Sequence, residues 1–239
     1  VTLNTVLWGS AKIPHFLCIV LFWQKGHIMF FLKLLEDNEV KDCAKGIRKA
    51  KFINGSITQP IKNSKSNTES IGIPENVRRI LTNKFYDNHY IDSVYCPNRV
   101  SVNFYNKYVE GDFYDIHVDS FKARPKSNNI YFDYGFSVNL SDDYEGGEFV
   151  LQTPLGNIER KLSSGEAVIF PIIYPHGVKR IIKGERENII GWLSSNVTYE
   201  QSFLLHTMYE VNSYLMDQNK EIFIKSTLIQ TYLKKEWGK

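Results

Sequence analysis

The chain has 239 residues and only three cysteines. Cys18, Cys43 and Cys96 are scattered and form no Cys-x-x-Cys pair. That excludes a disulfide framework and a zinc ribbon, and it reads as reduced thiols in a cytoplasmic protein. Charge of one sign is also lacking. The net charge is +3, too weak to call for nucleic acid or a membrane surface as a partner. Long hydrophobic runs are missing too. The N-terminal apolar run Phe16–Trp23 falls far short of the ~20 residues that span a bilayer. It has no clear basic start and no small-x-small cleavage site after it, so it is a poor signal peptide. There is no internal repeat and no low-complexity tract. What remains is enough chain for one sizeable core. With 14 Tyr and 15 Phe, the composition favours β structure.

Met29 reads as the natural start, with residues 1–28 an extension. The alternative is a genuine N-terminal strand or helix packed on the domain. Residues 29–239 then form a single domain. Met29–Leu35 is a short apolar strand, followed by a helix capped by Asp37 or Asn38. Val40, Cys43, Ala44 and Ile47 recur at helical spacing and give that helix a buried face. The polar stretch 54–72 is a loop, either a solvated linker or a lid over a site. Glu75–Lys84 is a helix.

From about 93 to 198 the pattern changes to short β-type runs separated by glycine turns. The runs are Val100–Tyr105, Asp115–Asp119, Ile130–Leu140, Glu148–Gln152, Ala167–Phe170, Val178–Ile182 and Asn188–Leu193. Seven or eight short strands at this spacing predict an antiparallel sandwich or jelly roll. Residues 199–239 are helical, with Leu204, Met208, Val211 and Leu215 on one face and a second helix over Lys220–Lys235. These helices buttress the β core.

Three elements carry chemistry. His117 and Asp119 are two apart on a strand and project to one face, with Val118 turned away. An imidazole and a carboxylate buried together need partners, and a metal is a good one. His176 lies at the end of an apolar strand, in Tyr174-Pro-His-Gly-Val178. Arg186 follows beyond a turn at Lys183-Gly184, on or beside the neighbouring strand, and its side chain suits a bidentate grip on a carboxylate. Two histidines and one carboxylate with open positions are the ligand set of non-haem Fe(II) oxygenases. Taken singly, each element also fits a surface pair, a hydrogen-bonded structural histidine or a surface arginine. His15, His27, His89 and His206 have no partner spacing and read as structural or surface residues.

In combination the elements become specific. Tyr108-Val-Glu-Gly-Asp-Phe-Tyr114-Asp-Ile-His117-Val-Asp119 resembles the Tyr-x-x-Gly-x-x-Tyr-x-x-His-x-Asp signature of prolyl-4-hydroxylase-like 2-oxoglutarate oxygenases. Tyr144-Glu-Gly146-Gly147-Glu148 is similar to their Tyr-x-Gly-Gly-Glu turn. Gly165–Pro171, His176-x-Val178, Gly184-x-Arg186 and Trp192-Leu-Ser-Ser195 resemble the second half. The nearest group is the bacterial and phage PKHD-type hydroxylases, and the resemblance runs from 29 to 239. One strand departs: where the family often carries Arg-x-Asp-x-Ser-x-Thr, Asp133 and Ser137 fit but Tyr131 and Gly135 do not.

The resemblance implies a double-stranded β-helix, cupin-like, buttressed by N- and C-terminal helices. It implies Fe(II) held by His117, Asp119 and His176. It implies 2-oxoglutarate gripped at its distal carboxylate by Arg186 and Tyr108, and Tyr114 near the iron on the substrate side. O₂ is the second cosubstrate and ascorbate a candidate reductant. The implied reaction hydroxylates an unactivated C–H bond of a prolyl or other protein side chain, or of a free small molecule, and releases succinate and CO₂. The rivals are a non-catalytic cupin-like metal-binding module and a zinc hydrolase. The first needs neither Arg186 nor Tyr108, and the second has no clearly placed general base.

Overall fold

A computed structural model describes residues 18–22, 27–48, 50–58, 63–120 and 131–238. In chain order its elements begin with β1 (Cys18–Phe22), β2 (His27–Lys33), α1 (Asp37–Ile47), β3 (Phe52–Asn54) and a 3-10 turn (Gly55–Thr58). There follow β4 (Lys65–Ser66), β5 (Thr68–Ile71), α2 (Glu75–Asp87), α3 (His89–Tyr95), β6 (Pro97–Tyr108) and β7 (Phe113–His117). Next come β8 (Tyr134–Asn139), β9 (Tyr144–Gly146), β10 (Phe149–Thr153), β11 (Gly156–Arg160) and β12 (Glu166–Pro171). The chain closes with β13 (His176–Val178), β14 (Ile181–Gly184), β15 (Arg186–Ser195), α4 (Tyr199–Gln218) and α5 (Lys220–Trp237).

The strands form an eight-stranded sheet in the order β1-β2-β12-β8-β15-β6-β5-β3, a five-stranded sheet β11-β10-β13-β7-β4, and the pair β14-β9. Every pairing is antiparallel. Alternation along the larger sheet sorts its side chains into two layers. Phe30 and Leu32 of β2, Ala167 and Ile169 of β12, and Tyr134, Phe136 and Val138 of β8 join the cluster that also takes residues of α1, α2 and α3. Met29, Phe31, Val168 and Phe170 point the other way and meet Phe149 and Leu151 of β10 in the smaller sheet. This is the expected jelly roll, the double-stranded β-helix with helices on one side.

The same alternation places polar residues between the sheets near β6, β8 and β15. Asn106, Ser137, Asn139 and Asn188 are all buried. The Asn188 amide donates to Ser137 Oγ at 2.7 Å, and the Asn67 amide donates to Asn106 Oδ1 at 2.8 Å. These bonds tie them into a polar floor that a purely apolar core would not contain, although the Oδ1 atoms of Asn67, Asn139 and Asn188 have no hydrogen-bond partner among the described residues. Gly135, where this strand departs from the family pattern, has a reason to lack a side chain. A Cβ there would sit 2.7 Å from the Phe170 ring.

Several expectations change. The first helix is capped one position earlier: Glu36 precedes it, and its amide donates to Glu39 Oε2 at 2.9 Å. Of the stretch 54–72, residues 54–58 and 63–72 are described, and these are not simply a loop. They carry β4 on the smaller sheet and β5 on the larger, and so cross from one to the other. The expected strand Asp115–Asp119 ends at His117. Helix α3 and strands β9, β11 and β14 were not read from the sequence. The buried face of α4 is not the expected apolar one: Leu204 and Val211 are exposed, and Ser202, Leu205, His206 and Asn212 are inside. Those polar groups pair internally. Ser202 Oγ donates to the Val94 carbonyl at 2.8 Å, His206 meets the Tyr90 hydroxyl at 3.1 Å, and the Asn212 amide donates to Gln230 at 2.6 Å. His206 is thus structural, as expected. Residues 1–17, with His15 among them, lie outside the described residues. Among the described residues no helix is long and apolar enough to cross a membrane.

Candidate metal centre and active-site cavity

His117 ends β7 and stands directly opposite His176, the first residue of β13. Asp119 lies two residues beyond the strand, with Val118 exposed between them. The three side chains converge as the sequence predicts. One ligand atom from each falls within 4.8 Å of the others. His117 Nε2 is 3.4 Å from Asp119 Oδ1, and His176 Nε2 is 3.6 Å from Asp119 Oδ2. Those distances are long for hydrogen bonds and leave room for a cation between the three groups.

The tautomers suit that role. His117 Nδ1 lies 2.9 Å from the Asp115 carbonyl, and His176 Nδ1 lies 3.1 Å from the Tyr174 carbonyl. A carbonyl only accepts, so in each ring Nδ1 carries a proton and Nε2, turned to the centre, is the nitrogen placed to ligate a metal. Asp119 is charged. Burial pushes its carboxyl up, but His117, His176 and the Trp192 indole together hold it well below the usual carboxylate range.

Trp192 was recognised in the sequence only as part of a strand motif. Its Nε1 donates to Asp119 Oδ2 at 2.8 Å across 73 positions of chain. Its ring is held by Phe104 and Phe132. This indole fixes Oδ2, the oxygen nearer His176, and leaves Oδ1 toward His117. Such outer partners typically govern about 10–100-fold in metal affinity. Trp192→Phe keeps the aromatic packing and is expected to weaken Co(II) binding by about tenfold, read by calorimetry. An unchanged affinity would rule out the orienting role.

The triad sits at one end of a cavity of about 170 Å³. Tyr108, Tyr114, Asn106, Asn188, Ser137 and Trp192 are among its walls, with Phe136, Phe149, Phe170 and Ile190 supplying apolar surface. Tyr114 is buried, and its ring stacks on His117 at 3.7 Å and 11°. Arg186 opens β15 in register with Tyr108, the last residue of β6. Its guanidinium lies 5.6 Å from the centre of the Tyr108 ring. It is 1% exposed, and none of its three nitrogens has a hydrogen-bond partner among the described residues. Tyr144 is the polar side chain beside it, and no acidic group pairs with it among the described residues. A buried cation without a counter-ion is costly.

The turn beside it also follows from the sequence. Gly147 has φ +65°, and a Cβ there would come within 2.4 Å of Ile181 and 3.2 Å of Arg186 Cδ. Only glycine lets the backbone pass this close to the arginine.

Two histidines and one carboxylate on a double-stranded β-helix, with open positions between them, are the ligand set of the non-haem Fe(II) oxygenases. The comparisons agree. A sequence profile of the 2OG-Fe(II) oxygenase superfamily matches residues 100–194. A PKHD-type hydroxylase of Idiomarina loihiensis is 28% identical over 85% of this chain and 95% of its own length. One from Prochlorococcus marinus is 30% identical over 69% of this chain and 77% of its own. The crystal structure of a Pseudomonas putida prolyl-4-hydroxylase shares the fold with a TM-score of 0.51, at 16% identity over 71% of this chain and 93% of that one. The chain belongs to the PKHD-type hydroxylases of the 2OG-Fe(II) oxygenase superfamily. It is an Fe(II)- and 2-oxoglutarate-dependent hydroxylase.

Proposed function

We propose that the protein hydroxylates an unactivated C–H bond of a prolyl or other peptide side chain. In this reading His117, Asp119 and His176 hold Fe(II), Arg186 and Tyr108 seat the distal carboxylate of 2-oxoglutarate, and Tyr114 borders the reacting side. Bound together, iron and 2-oxoglutarate supply O₂ activation, with succinate and CO₂ as co-products. The residues supply placement. Nδ1–H donation to the main chain keeps both imidazoles in the ligating tautomer, and Trp192 holds the carboxylate. A bidentate guanidinium fixes one end of the diacid, so binding energy becomes orientation at the other end.

The observation that carries this reading is Arg186, buried and with no acidic partner among the described residues. A metal-binding module without oxidation has no use for it. A peptide rather than a small metabolite is favoured by the likeness to the prolyl-4-hydroxylase fold. A cytoplasmic location fits the free, buried thiols Cys43 and Cys96. The test is succinate formation from 2-oxoglutarate with Fe(II) and ascorbate, across proline-containing peptides and small metabolites. Stimulation by peptides is the expected result. Stimulation by metabolites alone would move the substrate class, and no Fe(II)-dependent succinate under any condition would overturn the assignment.

A further inference from the structure

Lys65 and Glu69 form an ion pair at 2.8 Å with side chains 3% and 1% exposed. Thr58 Oγ1 joins it, donating to Glu69 Oε2 at 2.9 Å and lying 3.4 Å from Lys65 Nζ. All three residues line the cavity that holds the triad. The pair is a poor explanation of stability, because apolar residues of similar volume usually do as well in such a place. Nor is it needed to anchor the crossing segment. That segment is already tied by the β4–β7 and β5–β6 ladders, by Ser66 Oγ to Asp112 at 2.6 Å, and by Asn67 to Asn106.

Its position suggests another task. Lys65 pairs with Tyr114 across the β4–β7 ladder, and its ammonium lies 4.7 Å from the centre of the Tyr114 ring. Tyr114 is the ring stacked on His117. The two candidate ligands differ in how they are held. His176 has both Phe170 and Phe149 against it, at 4.5 and 6.1 Å. Apart from His176 itself, His117 has only Tyr114 as a ring neighbour among the described residues. The backbone bond at Nδ1 sets its tautomer but leaves the ring plane to that single stack.

We propose that Lys65, held by Glu69, is a positioning residue for the metal centre: its charge over Tyr114 fixes the ring that sets the plane of His117. A cation over an aromatic face in a desolvated site is attracted strongly enough to favour one rotamer of the ring. The inference rests on the reading of His117 as a metal ligand.

The test uses Co(II) alone, titrated into the full chain by calorimetry, beside thermal unfolding of the metal-free protein. Lys65→Met with Glu69→Met removes both charges at similar volume. It is expected to keep the unfolding midpoint close to wild type and to raise the Co(II) dissociation constant about tenfold. Lys65→Arg, whose guanidinium also rests on aromatic faces, should recover most of that loss. Glu69→Gln keeps the hydrogen bond, loses the charge and should show a smaller effect, and it remains informative if the double variant does not fold. Ser66→Ala loosens the same segment without touching the pair. A loss there equal to that of the double variant would overturn the proposal, as would wild-type affinity in the double variant. Absence of Co(II) binding in the wild-type chain would instead sink the reading of the triad.

Discussion

Asp119→Ala is expected to bring Fe(II)-dependent turnover of 2-oxoglutarate to background. Asp119 is the one anionic member of the triad, and its neighbours all favour the charged form. Without it the site has two imidazoles and no carboxylate to offset a divalent cation. Loss of an outer partner of a metal ligand already costs about 10–100-fold in affinity, so loss of the carboxylate itself should exceed about a hundredfold. The Trp192 indole then also lacks its acceptor. Co(II) titration separates the two consequences: affinity collapses while circular dichroism stays that of the folded protein. More than a tenth of wild-type succinate formation in this variant would refute the triad.

Arg186→Met should produce an effect that an ordinary structural arginine cannot. A buried guanidinium with no acceptor destabilises the ligand-free protein. Methionine fills similar space without the charge, so the metal-free, cosubstrate-free variant should unfold at or above the wild-type temperature. Binding of 2-oxoglutarate should move the other way. Two charge-assisted hydrogen bonds, at about 1.5 kcal/mol each, amount to roughly a hundredfold in KM. The thermal shift that 2-oxoglutarate gives the wild-type protein should shrink accordingly. Arg186→Lys keeps a charge but loses the fork, and should fall between. If Arg186→Met lowers the melting temperature and leaves KM unchanged, the arginine is serving the fold and not the cosubstrate.

The candidate site was legible because its residues sit where local rules apply. His117 and Asp119 are two apart, Gly146-Gly147 marks a turn, and Arg186 begins a strand after another. The strands that stood out include β8 and β12, buried on both faces along almost their whole length and so rich in apolar residues. Whatever depends on topology did not show. Lys65 and Glu69 are four apart, the spacing of an exposed helical pair, and nothing local announces that they lie on two different sheets. Asn63, Ser64, Lys65, Ser66 and Asn67 have the composition of a loop, yet β4 forms because β7 offers a free edge. The bond from Trp192 to Asp119 joins distant segments and leaves no spacing to read. Helix α4 misled for a related reason. Its inward groups are Ser202, His206 and Asn212, each bonded to a partner on another element, so hydropathy picks the wrong side.

The hydrogen bonds at the two histidine Nδ1 atoms have an evolutionary consequence. Each ring donates to the carbonyl two residues upstream, at Asp115 and Tyr174. Those acceptors belong to the main chain, so any residue at 115 or 174 that keeps the backbone path supplies the same oxygen. The protonation pattern of the site is therefore buffered against sequence drift at its own neighbours. Trp192, Tyr114 and Lys65 act through side chains and have no such protection. Among relatives that diverge in substrate, the imidazole tautomers should stay fixed while these lateral supports vary, and the fine tuning of the centre would be inherited through them.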